Sequence, residues 1–178
     1  ANIDSFAYKE KSIAIENRVE IDRWIISELN TLIAAVEVNY EKYEPTKVAR
    51  LIQDFVIAKL SNWYVRLSRR RFWKGEYNPE KISAYQTLYE CMEKAAILAA
   101  PIAPFFMDRL FQDLNNISNR QSAISVHLAD FPKSDNKKIN STKKPTRLSG
   151  FPDFYLIVSY CRISFLLTIP LSVSNSNR

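Results

Sequence analysis

From Val19 onward, apolar residues recur at steps of three and four: Ile21, Trp24, Ile25, Leu29, Leu32, Ile33 and Val36. That spacing places them on one face of an α-helix. The pattern fades between Tyr40 and Glu44, where Pro45 prevents simple continuation. Asp22 lies near the start, where a carboxylate suits the positive end of the helix dipole. A second helix is predicted from Thr46, as N-cap, to about Arg69, with Val48, Ile52, Phe55, Val56, Leu60, Trp63 and Leu67 as its apolar stripe. Residues 72–78 read as a connection, in which Gly75 permits positive φ. Pro79 suits the first turn of a third helix capped by Asn78, carrying Ile82, Tyr85, Leu88, Tyr89, Met92, Ala95, Ala96 and Leu98. The run AAPIAP at 99–104 interrupts it, and a fourth helix from 104 to about 114 presents Phe105, Phe106, Leu110, Phe111 and Leu114. Residues 122–132 read as extended. Long helices with short connections predict an all-α fold: an antiparallel helical bundle, a short extended segment and an irregular C-terminal tail.

The same pattern divides the chain. Residues 1–18 show no period and no initiator Met, and read as a connecting segment within a longer protein. Residues 19–132 form the helical domain. Residues 133–150 are rich in Lys, Ser, Thr and Asn and read as a linker. Residues 151–178 are an atypical apolar tail, expected to be strand-forming or poorly ordered. The stretch 151–173 is long enough to span a bilayer, yet it contains Asp153, Arg162 and Pro170, so a membrane partner is not expected.

Composition excludes several chemistries. Two glycines, Gly75 and Gly150, stand far apart, so no glycine-rich phosphate loop is present. A lone His127 with Cys91 and Cys161 cannot supply a Cys/His zinc site, a disulfide framework or a convincing nucleophile-base pair. No metal ligand set, cofactor or catalytic residue is expected in this chain. By subtraction it reads as a binding module.

Charge then locates a candidate surface. The formal net charge is +6, and residues 59–74 contribute Lys59, Arg66, Arg69, Arg70, Arg71 and Lys74 without one acid. Charge focused in this way suits a polyanion. The string LSNWYVRLSRRRFWKGE at 60–76 interleaves these cations with Trp63, Tyr64, Phe72 and Trp73, and adds Asn62. Nucleic-acid recognition needs cations for phosphate, flat rings for unpaired bases and an amide or guanidinium for base edges. At α-helical spacing Lys59, Asn62, Arg66, Arg69 and Arg70 share an arc beside the apolar stripe. Trp73 and Phe72 offer stacking faces. Each has a plainer alternative: Trp63 and Tyr64 as core, Arg66 as partner of an acid on another helix, the arginine run as a solvated helix end. His127 reads as surface, Cys91 as core, and Glu90 with Glu93 as a solvated face.

The strings VEIDRWIISELNTLI, LSNWYVRLSRRRFWKGE and AAPIAPFFMDRLFQDL resemble the anticodon-binding domain of class Ia aminoacyl-tRNA synthetases. Asn62-Trp63-Tyr64, Arg66, the run 69–73 and SVHLADFP at 125–132 are most similar to the isoleucine branch of that class. The resemblance covers about residues 1–132. It implies a helical bundle that grips the anticodon stem-loop of isoleucine tRNA, not DNA, in a cytoplasmic enzyme whose catalytic part precedes this segment. That parent is implied to use ATP and magnesium. The class signatures His-Ile-Gly-His and Lys-Met-Ser-Lys-Ser are absent here, so adenylate formation, transfer and editing are not expected of this piece alone. The expected tRNA contacts are Lys59, Arg66, Arg69, Arg70, Arg71 and Lys74 to phosphate, and Asn62 and Trp73 to bases. Beyond about Lys137 the resemblance stops, which suggests an altered or frame-shifted end. The rival readings are a helical protein-interaction module with a basic block, and membrane association through 151–173.

Overall fold

The computed structural model describes residues 12–73, 76–118, 123–135 and 138–139, all within the unit Ala1–Pro145. Of the linker expected at 133–150 only 133–135 and 138–139 are described, and the tail expected at 151–178 lies outside the described residues. The elements are α1 (Glu20–Glu41), α2 (Pro45–Asp54), a π-helical segment (Phe55–Val65), α3 (Arg69–Trp73), α4 (Pro79–Ala99) and α5 (Pro104–Ser118). Short 3-10 turns occupy Ile15–Asn17 and Val126–Leu128. The described residues contain no strand, so the fold is all-α.

Helix α1 follows the predicted stripe: Trp24, Ile25, Leu29, Leu32, Ile33 and Val36 are buried and Ile21 is partly buried, while Ile26, not assigned to the stripe, is buried as well. Its end is a left-handed cap. Tyr43 has φ 56°, its N–H bonds to the carbonyl of Tyr40 at 3.0 Å, and Glu44 N–H bonds to that of Asn39 at 2.9 Å. This pair of bonds is a Schellman closure, which favours glycine at the left-handed position. Tyr43 is 92% exposed, so its ring contributes little packing there. Tyr43→Gly is therefore expected to raise stability by about 0.5–1 kcal/mol, the relief of left-handed strain less the entropy of glycine. Urea denaturation checks this, and a lower midpoint would refute it.

The second helix departs from expectation at both ends. The helix begins at Pro45, so Thr46 lies inside its first turn, and Glu44, not Thr46, occupies the N-cap, without a side-chain bond. Pro45 fits there because a first-turn residue needs no N–H partner. From Phe55 the winding widens to π, and buried residues fall at Phe55, Leu60, Tyr64 and Ser68, steps of five, four and four. Val56 and Leu67, assigned to the stripe by an α period, are 38% and 41% exposed. The widened turn rotates them out. Trp63 is partly buried, its ring 6.2 Å from that of Trp24. The predicted connection also begins too early, because Arg69–Trp73 is helical and Phe72 is buried.

Asn78 caps α4 as expected, its Oδ1 accepting from Lys81 N at 2.9 Å, with Pro79 in the first turn. Helix α5 runs to Ser118. Of the segment expected to be extended, residues 123–132 are described and are not simply extended: Asp108 Oδ1 accepts from Ser125 Oγ (2.7 Å) and Val126 N (2.9 Å), which folds the chain into a 3-10 turn. That turn carries Val126 into a small core with Ile97, Ala100 and Phe111.

Two buried polar clusters tie the bundle together. Arg18, buried, donates to the carbonyl of Ile13 (2.9 Å) and to Thr87 Oγ1 (3.0 Å), and lies 3.6 Å from Glu90. Glu90 also pairs with Lys94 at 3.0 Å. Burial raises the Glu90 pKa, but Lys94 and Arg18 outweigh it and hold the carboxyl below its usual range. Glu93 is buried as well, so Glu90 and Glu93 do not form the solvated face expected of them. The second cluster surrounds Asp22.

Candidate nucleic-acid interface

Asp22 is fully buried although it lies in the first turn of α1. Its two oxygens accept a fork from Arg71, Nη1 and Nη2 each at 2.8 Å, together with Tyr64 OH at 2.9 Å and Ser83 Oγ at 2.7 Å. One carboxylate thus joins α1, the π-helical segment, α3 and α4. Burial and then the Asp22 charge push the Tyr64 hydroxyl well above its ordinary pKa. Burial also opposes the charge on Arg71, but the bonds and charge of Asp22 more than offset it. Arg71 Nη2 further donates to the carbonyl of Glu80 at 2.6 Å.

This anchoring gives the arginine run two different employments. Arg71 and Phe72 point inward, Phe72 lying between Tyr64 and Tyr85 with ring centroids 6.4 and 5.3 Å away. Arg69, Arg70 and Trp73 point outward. The Arg69 guanidinium sits 5.1 Å from the centroid of the Trp73 ring, and Trp73 is 67% exposed. A cation stacked on an indole presents charge and a flat face together, which suits a phosphate and its base. Arg70 and Arg71 share a recess with Glu76, Asn78, Glu80 and Lys81.

The other predicted residues are more dispersed in role. Lys59 pairs with Glu28 at 2.7 Å, both side chains about one-third exposed. Asn62 and Arg66 are half-buried, and Arg66 interacts with another group. Lys74 lies outside the described residues. The predicted arc assumed an α period, which the π winding alters between Lys59 and Asn62. His127 is exposed, and Cys91 is buried, its thiol pushed far up by burial. No helix among the described residues is long and apolar enough to cross a membrane.

The role of Asp22 was missed, although a signal for it existed. Asp22 shares the stripe of Ile25, Ile26, Leu29 and Ile33, and a carboxylate on a buried face requires a cation. Which arginine answers it is a tertiary matter.

An all-α domain that presents arginines and an open indole on one short anchored helix is of the class that contacts nucleic acid from a helical frame. The chain belongs to the family described as the anticodon-binding domain of tRNA ligase, whose model matches residues 22–156. It is 59% identical over 133 residues to the isoleucine–tRNA ligase of Cytophaga hutchinsonii, covering 75% of this chain and 12% of that protein. Over 140 residues it is 56% identical to the isoleucine–tRNA ligase of Bacteroides thetaiotaomicron and 55% identical to that of Bacteroides fragilis, in each case 79% of this chain and 12% of the relative. The chain therefore spans about one-eighth of the length of the curated relatives it matches.

Proposed function

We propose that this chain is the anticodon-stem-loop-binding module of an isoleucine–tRNA ligase. Such a parent charges isoleucine tRNA with isoleucine in the cytoplasm, using ATP and magnesium, and its catalytic chemistry resides in the other parts of that protein. The observation that carries the reading is the outward set on α3: Arg69 stacked on Trp73, with Arg70 beside them, on a helix whose other side chains reach the core. Phosphate contacts come from Lys59, Arg66, Arg69, Arg70 and Lys74. Trp73 offers a stacking face, and Asn62 can read a base edge. Arg71 enters as the support of this surface, because its guanidinium is committed to Asp22.

Binding of the 178-residue chain to isoleucine tRNA transcript, across a salt series and with an altered anticodon, tests the proposal. Affinity is expected to fall with the anticodon change. Arg70→Ala is expected to weaken binding to every tRNA and to lower the salt slope by about one. Equal competition by generic polyanions, or an Arg70→Ala variant with unchanged slope and affinity, would remove tRNA as the partner of this surface.

A further inference from the structure

We infer that Asp22 is a positioning residue for the RNA-facing surface: through Arg71 it sets the orientation of α3, and so where Arg69, Arg70 and Trp73 meet a nucleic acid. The inference rests on the tRNA-binding reading above and deepens it. Asp22 is fully buried and cannot itself touch RNA.

The need for such a residue follows from the place of α3. It leaves the turn at Ser68, whose carbonyl accepts from Arg71 N at 2.9 Å and Phe72 N at 3.2 Å, and five residues add little helix stability of their own, so side-chain contacts must fix its orientation. Two contacts do so. Phe72 enters the core beside Tyr64 and Tyr85, and its carbonyl accepts from Tyr85 OH at 3.3 Å. Apolar burial is non-directional and leaves the helix able to turn about the Phe72 side chain. The Arg71 fork supplies direction, since two parallel N–H···O bonds fix the plane of the guanidinium as well as its distance. The carboxylate is in turn aimed by Tyr64 OH and Ser83 Oγ, one bond to each oxygen. Arg69 and Arg70 precede the anchored pair and Trp73 follows it, so a rotation of α3 displaces all three at once. Supported groups of this kind hold a binding surface to within fractions of an ångström.

The test compares Asp22→Asn, Ser83→Ala and Arg69→Ala in the 178-residue chain, with tRNA affinity measured well below each melting temperature. Asp22→Asn keeps every surface cation and nearly the same shape. Its affinity is expected to fall about tenfold, the scale of one lost hydrogen bond to a charged partner, with a reduced salt slope. Ser83→Ala is expected to give a smaller loss in the same direction. A role confined to stability would lower the melting temperature and leave the affinity of the folded chain unchanged, which would overturn the inference. Tighter binding by Asp22→Asn would overturn it too, by making Arg71 a latent phosphate contact. If Asp22→Asn does not fold, Asp22→Leu with Arg71→Met replaces the pair by apolar side chains. That double variant is expected to fold and bind weakly, and undiminished binding by it would refute the positioning role. Arg69→Ala separates the two readings. Should it weaken binding while Asp22→Asn does not, only the positioning inference falls; should neither matter, the tRNA reading of this surface falls.

Discussion

Arg71→Ala is expected to cost roughly 3–5 kcal/mol of folding stability, as removal of one partner from a buried ion pair does. The neighbouring Arg70→Ala should stay within about 0.5 kcal/mol of the parent, as an exposed substitution does. The two residues are adjacent, chemically identical and equally basic, so propensity and net charge cannot separate them. Environment does. Asp22 has no exposed surface, and alanine at 71 leaves its carboxylate with only the hydroxyls of Tyr64 and Ser83. Two neutral donors do not replace two charge-assisted bonds in a low-dielectric site. The loss would be a large share of the stability of a domain this size. Urea denaturation measures it: the Arg71→Ala midpoint should drop sharply at unchanged slope, and the Arg70→Ala midpoint should hold. Equal effects of the two substitutions would mean that the Asp22–Arg71 pair does not secure the fold. A partial recovery in Asp22→Leu/Arg71→Met would identify the stranded charge, rather than lost packing, as the cause.

The arginine triplet also shows where sequence reading stops. Periodicity located α1 within a residue or two, because its apolar steps are regular over 22 residues and Pro45 follows. It located the start of α4 because Asn78 and Pro79 carry their own local instruction, a side-chain cap and a preset φ. The cationic surface was legible as composition, since six bases in sixteen residues need no fold to be noticed. Its division was not, because the cation that turns inward is chosen by a carboxylate 49 positions away. The same holds for Glu90 and Glu93. Their spacing looks like a solvent face until Arg18, 72 residues earlier in the chain, is brought under it to pair with Glu90. Asp135 N–H bonding to Asn30 Oδ1 at 3.0 Å is another such link, closing the segment 123–135 over α1 in a way that no local pattern signals.

The π winding is the remaining illegible feature, and its consequence is large. Phe55→Ala is expected to cost about 3–5 kcal/mol, the usual loss for truncating a buried phenylalanine, whereas Val56→Ala next to it should cost less than about 1 kcal/mol. An α-helix continued from α2 would have both residues on the seam, because Val56 stands four beyond Ile52 and four before Leu60. The structure instead leaves Phe55 1% exposed and Val56 38% exposed, and moves the burial onward to Leu60 and Tyr64. The sequence offers apolar residues to either register, which is why hydrophobic pattern could not choose between them. Tyr64 is fully buried in this register, its hydroxyl bonded to the same buried carboxylate that holds Arg71, while Trp63 beside it packs only partly against Trp24. The same urea titration on the two alanine variants distinguishes the windings. A large midpoint shift for Phe55→Ala and a small one for Val56→Ala fits the π register, while comparable shifts would require the α register and would bring Leu67 back to the seam. The register in turn sets the angular offset between Lys59, Asn62 and the outward face of α3.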